Sequence, residues 1–378
     1  MSGVTIEPVR PREMAFHRLP LRLQGGDPCY VPPLLLEERR QLDPRVNPHF
    51  REAEIALWIA RRDGRPVGRI SAHIDRVALA HAGDSTGFFG HWEVEDDAEV
   101  AEALLAAAEA WLRARGMERV RGPFEVSVND RCGLLVEGRE TPPMLMMNHA
   151  PAYYGRRLEA AGYVKERDLL AYLTPVEAEL PPQGRKLLAR LDGRAQVRTF
   201  EWKRYRAEID TIIGIFNDAW EGNWGFVPLT DERLNHLARS MKPILVDDLV
   251  AIAEIDGEPA AMMVALPNLN EAIRDLRGRL LPFGWAKLLW RLKVGKMRSL
   301  RVPLMGVRRR YHGTLTGAAL MMAMFDHIRG AAHARGFREA ELSWVLEDNR
   351  PMRHMAEHMG ARIYKRYRLY GKLLAGGA

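Results

Sequence analysis

The feature that most constrains this chain is an order of elements that its residues spell twice. Ala56–Ile74 reads as a hairpin, because two β-rich runs flank the turn dipeptide Asp63–Gly64. An apolar strand follows at Gly87–Val94. A helix then runs from about Ala98 to Arg115, with Ala101, Leu104, Leu105, Ala108 and Leu112 on one face, and Gly116 ends it. A strand near Val120–Val128 and a short helix within Asn148–Tyr163 close the set. Beyond a linker at Thr174–Pro182 the order returns. Gln196–Glu201 reads as a strand, and Lys203–Trp220 and Asp231–Met241 as helices, the second with Thr230 as its cap. A hairpin at Asp248–Leu266 turns at Asp256–Gly257. A strand at Val302–Gly306, a helix ending at Gly336, a strand at Glu339–Leu346, a short helix in Asn349–Gly360 and a final run Ala361–Leu374 follow. The chain is therefore a tandem repeat, with expected domains 1–175 and 176–378. Residues 1–50 read as irregular apart from a helix at Leu34–Gln41.

The second copy carries a strand–turn–helix junction, Val307–Leu320 (VRRRYHGTLTGAAL). Gly313 and Gly317 lack the Cβ that would block close approach of a ligand to the backbone. The first amides of the helix have no intrahelical partner, and the helix dipole adds positive charge there. With Arg308, Arg309, Arg310 and His312 alongside, the junction is an expected phosphate or pyrophosphate site; a solvated helix start is the bland alternative. No Gly-Lys-Ser/Thr follows, so it is no P-loop, and the glycine spacing excludes a dinucleotide fingerprint. In the first copy the same place holds Glu93, Glu95, Asp96, Asp97 and Glu99, which would repel a pyrophosphate. That copy is expected to be a degenerate partner domain that does not bind the pyrophosphate-bearing ligand.

The junction resembles the pyrophosphate loop of the GCN5-related N-acetyltransferase superfamily, whose pattern is V-x-x-x-Y-R-G-x-G-x-G-x-x-L. Val307, Tyr311, Gly313, Gly317 and Leu320 match, and Leu315 stands where the middle glycine is usual. The runs PCYVPPL, NPHF, RDGRPVGRISA, GFFGHWEV, NDAWEGNWGFVP and SWVLEDNRPM are similar to a two-domain bacterial subgroup that includes the bacterial ceramide synthases. The resemblance covers nearly the whole chain. It implies an α/β fold of the α+β type with a mixed sheet, in two tandem acyl-CoA N-acyltransferase domains. It implies acyl-CoA as co-substrate, no permanently bound cofactor, and N-acylation of a sphingoid base such as 3-oxosphinganine by direct attack of the amine on the thioester. Another amine acceptor, or a non-catalytic acyl-CoA-binding regulator, are the rival readings.

On that resemblance, acyl-CoA is held by Met305, Val307, Arg309, Arg310, His312, Gly313, Thr314, Leu315, Gly317, Ala318 and Asn349. Asn349 is equally an ordinary helix cap. The family's tyrosine acid is absent, since its position falls near Ala356. Glu347, at a strand end beside the loop, is the candidate base, with Tyr364 and Tyr367 as candidate acids. Asn217, Trp220, Asn223, Trp224 and Phe226 form the expected roof of the acceptor site, or else an apolar plug. His354, Glu357 and His358 spell H-x-x-E-H, but they fall on the helix that the resemblance assigns elsewhere, so no metal is expected.

Composition narrows the partners. The 378 residues are 47% hydrophobic and 28% charged, with Cys29 and Cys132 the two cysteines and a net charge of +7. That describes a globular chain with no disulfide framework, expected in the cytoplasm. The segment Ile273–Arg301 carries nine Lys and Arg (Lys287, Arg291, Lys293 and Lys296 among them) against Asp275 alone, an excess above that of the whole chain. Trp285, Trp290, Phe283 and several leucines interleave with them. A basic helix with an aromatic and aliphatic face is of the interfacial type, so we expect peripheral binding to the anionic inner face of the cytoplasmic membrane. A helix packed on its own domain is the alternative. No nucleic-acid motif accompanies the charge.

Overall fold

The computed structural model describes residues 3–177, 179–191, 193–295 and 297–374. Among these, thirteen strands are present. They are β1 (Val4–Val9), β2 (Ala53–Arg62), β3 (Arg65–Asp75), β4 (Thr86–Val94), β5 (Arg119–Gly122), β6 (Leu134–Glu137) and β7 (Val164–Pro175). The rest are β8 (Ala195–Thr199), β9 (Val250–Ile255), β10 (Glu258–Pro267), β11 (Ser299–Val307), β12 (Glu339–Leu346) and β13 (Arg362–Leu373). Antiparallel and parallel pairs occur together, as the expected mixed α/β class requires.

The chain divides into two compact units. The first comprises Met1–Leu169, Ile273–Leu288 and Lys365–Ala378; the second comprises Leu170–Ala272 and Leu289–Tyr364. The expected ranges 1–175 and 176–378 therefore differ from these units in two exchanges. Residues 273–288 lie with the first unit, where Gly278 O accepts from Leu35 N at 3.0 Å and Arg274 donates to Pro28 O at 2.6 Å. Most of β13 also belongs to the first unit, paired antiparallel with β5 (Tyr370 opposite Gly122) and with β6 (Tyr367 opposite Leu135).

In the first unit the strand order is β1-β2-β3-β4-β5-β13. The β2–β3 turn places Asp63 and Gly64 at φ +51° and +75°, the paired positive φ values that a two-residue hairpin loop demands. The helix Ala98–Arg113 buries Val100, Leu104, Leu105, Ala108 and Leu112, the apolar face read from the sequence. In the second unit β12-β11-β10-β9-β8 run in order, with β7 beside β12. Asp256 and Gly257 repeat the same turn, at φ +52° and +82°. The core gathers Ala251, Ala253, Met263, Leu300 and Val302 from the sheet against Leu320, Met324, Phe325 and Ile328 of the helix Leu315–Ala334.

Three stretches differ from expectation. Residues 1–50 are not irregular, since Val4–Val9 pairs with β2 and Met14–Gln24 is a helix. The region after the linker holds a helix, Pro182–Ala189. The strand expected over Val120–Val128 stops at Gly122, where a cis Gly122–Pro123 bond follows, and the chain returns as β6.

β13 buries Lys365, Tyr367, Leu369 and Tyr370 in the first unit, each at or below 1% exposure. A chain ending at Tyr364 should therefore lose the first unit. Hydrogen exchange should show β5 and β6 deprotected in the truncated chain; unchanged protection there would contradict the exchange.

Candidate active site

The second unit opens its sheet at one place. β11 and β12 run parallel, but their register covers only Ser299–Val302 against Glu339–Leu342. The next residue, Pro303, has no N–H to give. β11 continues to Val307 held only from its other side, by β10. Arg308 N donates to Ala260 O at 2.9 Å, which makes 260/308 a hydrogen-bonded pair. Antiparallel pairs alternate, so Gly306 and Leu304 also turn toward β10, while Met305 and Val307 turn their N–H and C=O groups to the side that β12 has left. Met305 O accepts from Trp220 Nε1 at 3.0 Å, and Val307 O lies 2.7 Å from His312 Nε2. The edge thus presents the N–H groups of Met305 and Val307.

That edge runs into the expected loop. Arg308 anchors it through Nε to Pro259 O at 2.8 Å, Arg309–Tyr311 make one 3₁₀ turn, and Gly313 takes φ +69°. Thr314 caps the helix Leu315–Ala334, accepting from Gly317 N at 3.0 Å while its hydroxyl donates to Tyr311 O at 2.8 Å. The N–H groups of Leu315 and Thr316 remain at the exposed helix start, beside Ala318. Two expectations change here. A Cβ on Gly317 would lie 2.2 Å from Tyr311 O, so this glycine lets the loop close on its own helix rather than admitting a ligand. The arginines do not stand free: Arg309 meets Glu221 at 2.5 Å and Asp218 at 3.7 Å, and Arg310 meets Glu258 at 3.0 Å. These pairs are exposed and individually weak, so an incoming anion can take over the guanidiniums.

The segment Asn217–Phe226 lies at the same edge. Trp220 ends the helix Tyr205–Trp220, its ring 5.2 Å from Phe216, which in turn is 5.8 Å from Phe226. Asn223 donates its N–H to Trp220 O at 2.9 Å, and Trp224 follows in the turn. Asn217 Oδ1 is buried without a hydrogen bond. Gly306 admits this helix, since a Cβ there would come within 2.9 Å of Ala219.

Of the candidate acid–base groups, Glu347 and Tyr364 fall in the second unit and Tyr367 in the first, where it is fully buried. Glu347 follows β12, half-buried, and its carbonyl accepts from Arg353 at 2.8 Å. The Tyr364 hydroxyl donates to Glu341, whose carboxylate also takes Ser343 Oγ at 2.5 Å and faces Arg301 at 3.3 Å. Glu341 and Arg301 are buried to within 1%. This ion pair stands where β11 and β12 part. The sequence reading assigned Arg301 to the basic surface run, yet it is a core residue. A charge inside the apolar run Ser299–Gly306 was the signal for it. Asn349 is a helix cap, accepting from Met352 N at 3.2 Å. His354 and His358 are exposed, and Glu357 accepts from Tyr172 at 3.0 Å.

The first unit fills the equivalent edge. Val94 N donates to Tyr154 Oη at 3.2 Å, and Val94 O accepts from Tyr153 at 2.7 Å. Asp97 caps the following helix and pairs with Arg62, Glu95 pairs with Arg22 and Arg65, and Asp96 with Arg157.

No protein-family model matches the chain. Among curated proteins, a bacterial ceramide synthase of Caulobacter vibrioides is 45% identical over 377 residues, 99% of this chain and 98% of that protein. The Escherichia coli protein YghO is 41% identical over 359 residues, 95% of this chain and 92% of that one. Among solved structures, a tandem GNAT protein from the clavulanic acid biosynthesis pathway superposes with a TM-score of 0.59 at 13% identity, covering 99% of this chain and all of that one. A GCN5-related N-acetyltransferase from Sphaerobacter thermophilus gives 0.53 at 17% identity, covering 99% and 97%. The solved structures share the fold of this chain, and the chain belongs to the bacterial ceramide synthase family, an N-acyltransferase built on tandem GCN5-related N-acetyltransferase folds.

Proposed function

We propose that the chain transfers a long-chain acyl group from acyl-CoA to the amine of a sphingoid base such as 3-oxosphinganine. The observation that carries this is the bare edge of Met305 and Val307 leading to the uncapped amides of Leu315 and Thr316. An extended amide-bearing arm pairs with such an edge, and its pyrophosphate suits the helix start. The sphingoid acceptor is supported by the name of the Caulobacter relative. The amine nitrogen attacks the thioester carbonyl, a C–N bond forms, and the C–S bond breaks. A strand N–H at Met305 or Val307 serves the oxyanion. Glu347 takes the proton from the amine, and the thiolate leaves to be protonated. Trp220, Trp224 and Phe226 give the acceptor an apolar wall, with Asn217 Oδ1 and Asn223 as polar contacts. Asn349 and His312 hold the loop and helix on which the arm lies.

The second unit alone takes acyl-CoA in this reading, because Tyr153 and Tyr154 close the edge of the first. A negative side chain at Gly313, with its φ of +69°, disrupts both loop shape and charge. Calorimetry on the full chain should show acyl-CoA binding lost in Gly313→Glu and kept in Arg61→Glu; the reverse would exchange the roles of the units.

Glu347→Gln preserves size and removes the base. We expect kcat to fall by roughly 100-fold at neutral pH with acyl-CoA affinity unchanged. The loss should shrink as pH rises and more amine is already neutral. A full rate at pH 7 would remove Glu347 from the mechanism.

The acceptor's alkyl chain places it in a bilayer, and the surface of the protein answers that need. Leu281, Phe283, Trp285, Leu289, Trp290 and Val294 are all exposed, Phe283 at 78% and Trp290 at 60%. They lie in and beside the helix Gly284–Lys293, together with Arg279, Lys287 and Lys293. Lys296 lies outside the described residues. Arg301 and Arg291 serve the protein itself, Arg291 through Ala272 O at 2.6 Å. Among the described residues no helix is long and apolar enough to cross a membrane. Exposed aromatics flanked by cations bind an anionic surface, each cation adding about 1 kcal/mol. Phe283→Ser with Trp285→Ser and Trp290→Ser should release the protein from anionic vesicles in a flotation assay. It should also slow turnover of vesicle-borne amine more than of a soluble analogue. Equal flotation of variant and parent would refute the surface.

A further inference from the structure

The opening in the sheet of the second unit has a polar root. Arg301 and Glu341 face each other one register pair before β11 and β12 part. Arg301 donates through Nε to Ser343 Oγ at 2.8 Å and through a second guanidinium nitrogen to Ser343 O at 3.2 Å. Having accepted the first of these bonds, Ser343 turns its own hydrogen to Glu341 Oε1 at 2.5 Å. The other carboxylate oxygen accepts from the Tyr364 hydroxyl. The guanidinium stands over the Trp344 ring at 5.0 Å. One carboxylate meets one guanidinium here, so the charges close on themselves. Arg301, Glu341 and Ser343 are buried, while Tyr364 is half-buried.

Strand alternation says which way this network points. Leu300, Val302 and Leu342 pack in the core with the helix Leu315–Ala334, so Arg301, Glu341 and Ser343 between and beside them point to the other face. The β10–β11 register slips by one residue between Arg301 and Leu304, which carries Gly306 to that same face. There a Cβ on Gly306 would come within 2.9 Å of Ala219, on the helix Tyr205–Trp220. The network and the aromatic turn after Asn217 therefore share one face of the sheet. The direction of the acyl-CoA arm supplies the other coordinate. With its pyrophosphate at the start of the helix Leu315–Ala334 and its amides along Val307 and Met305, its thioester end comes to Pro303, where the strands part. Exposure rises at that point: Val302 and Gly306 are buried, and Pro303, Leu304 and Met305 between them are half-buried.

We propose that Tyr364 is a catalytic residue of acyl transfer, whose hydroxyl, backed by Glu341, carries a proton from the tetrahedral adduct to the departing thiolate, with Arg301 and Ser343 as positioning residues. The proposal rests on the reading of the Met305–Val307 edge as the acyl-CoA site. An ammonium acceptor loses two protons on becoming an amide. Glu347 takes the first, which frees the nucleophile and passes to water. The second leaves nitrogen after the C–N bond has formed. Tyr364 Oη takes it as its own hydrogen moves to Glu341. The C–S bond then breaks with its electron pair going to sulfur, Tyr364 gives sulfur a proton, and Glu341 returns one to Tyr364. Nitrogen has lost two protons, sulfur has gained one, and Tyr364 and Glu341 end as they began. A hydroxyl hydrogen-bonded to a carboxylate passes a proton in either direction without carrying a charge itself. Arg301 is what lets that carboxylate stand in a buried place.

The test compares leaving groups. A selenolate is a much weaker base than a thiolate and departs without a proton. Single-turnover transfer to 3-oxosphinganine is therefore measured from acyl-CoA and from its seleno analogue. We expect Tyr364→Phe to slow transfer from acyl-CoA at least about 100-fold and to leave transfer from acyl-seleno-CoA nearly at the parent's rate. Calorimetry should find acyl-CoA bound equally by variant and parent. The loss should hold across the pH range in which that of Glu347→Gln shrinks, because this proton leaves the adduct and not the free ammonium. The parent protein gives a reading that needs no variant to fold: deuterium oxide should slow transfer from the thioester more than from the selenoester. A full rate in Tyr364→Phe, equal losses on the two donors, or equal solvent isotope effects in the parent each overturn the shuttle. If Gly313→Glu transfers at the parent's rate, the edge reading falls and the shuttle with it. If Gly313→Glu is inactive and Tyr364→Phe is slowed alike on both donors, the shuttle alone falls.

Discussion

The second unit depends on a broken ladder. β11 is a full strand on its β10 side and half a strand on its β12 side, because the parallel register ends at Val302 and Leu342 and Pro303 cannot extend it. Buried backbone groups left bare in this way are costly unless something pairs with them. Two side chains answer from within the unit, Trp220 at Met305 O and His312 at Val307 O. The N–H groups face the gap that β12 leaves. At the root of the split, the buried Arg301–Glu341 pair with Ser343 and Tyr364 holds the strands where they diverge. Breaking one partner of such a pair leaves a naked buried charge, so the geometry of the opening is fixed electrostatically as well as by packing.

The first unit shows the same design with the opening closed. Val94 occupies the place of Val307, and its N–H and C=O are taken up by the hydroxyls of Tyr154 and Tyr153. Duplication has therefore left one copy with an edge and the other with a densely charged interior.

The parts legible in the sequence were those set by local physics. Asp-Gly turns gave both hairpins, and the apolar faces of the helices Ala98–Arg113 and Leu315–Ala334 gave their packing sides. The glycine-marked junction at Gly313 and the aromatic turn after Asn217 also stood out. What stayed hidden depends on distant partners. Arg131 meets Glu38 from 93 positions away, so neither residue signals a buried cluster alone. Arg69, His91 and Glu93 sit inside apolar runs, and that misfit was the one local sign of polar burial. Gly317 looked like a ligand-facing glycine because spacing cannot tell a ligand from the Tyr311 carbonyl. The strand Val4–Val9 is short and carries Pro8, too weak a pattern to register without β2 beside it.

The exchange of β13 has a consequence for how the protein is made. Residues 365–373 leave the ribosome after every residue of the second unit, yet they complete the first. Domains of a nascent chain ordinarily fold in the order of their synthesis. Here the half that is translated first is the half that finishes last. Until residues 365–373 emerge it holds β5 and β6 without their partner strand, and the Tyr367 and Lys365 positions stand empty. Those strand edges therefore stay open for as long as the second unit is being translated, the interval in which a chaperone that shields such edges would act on the early half.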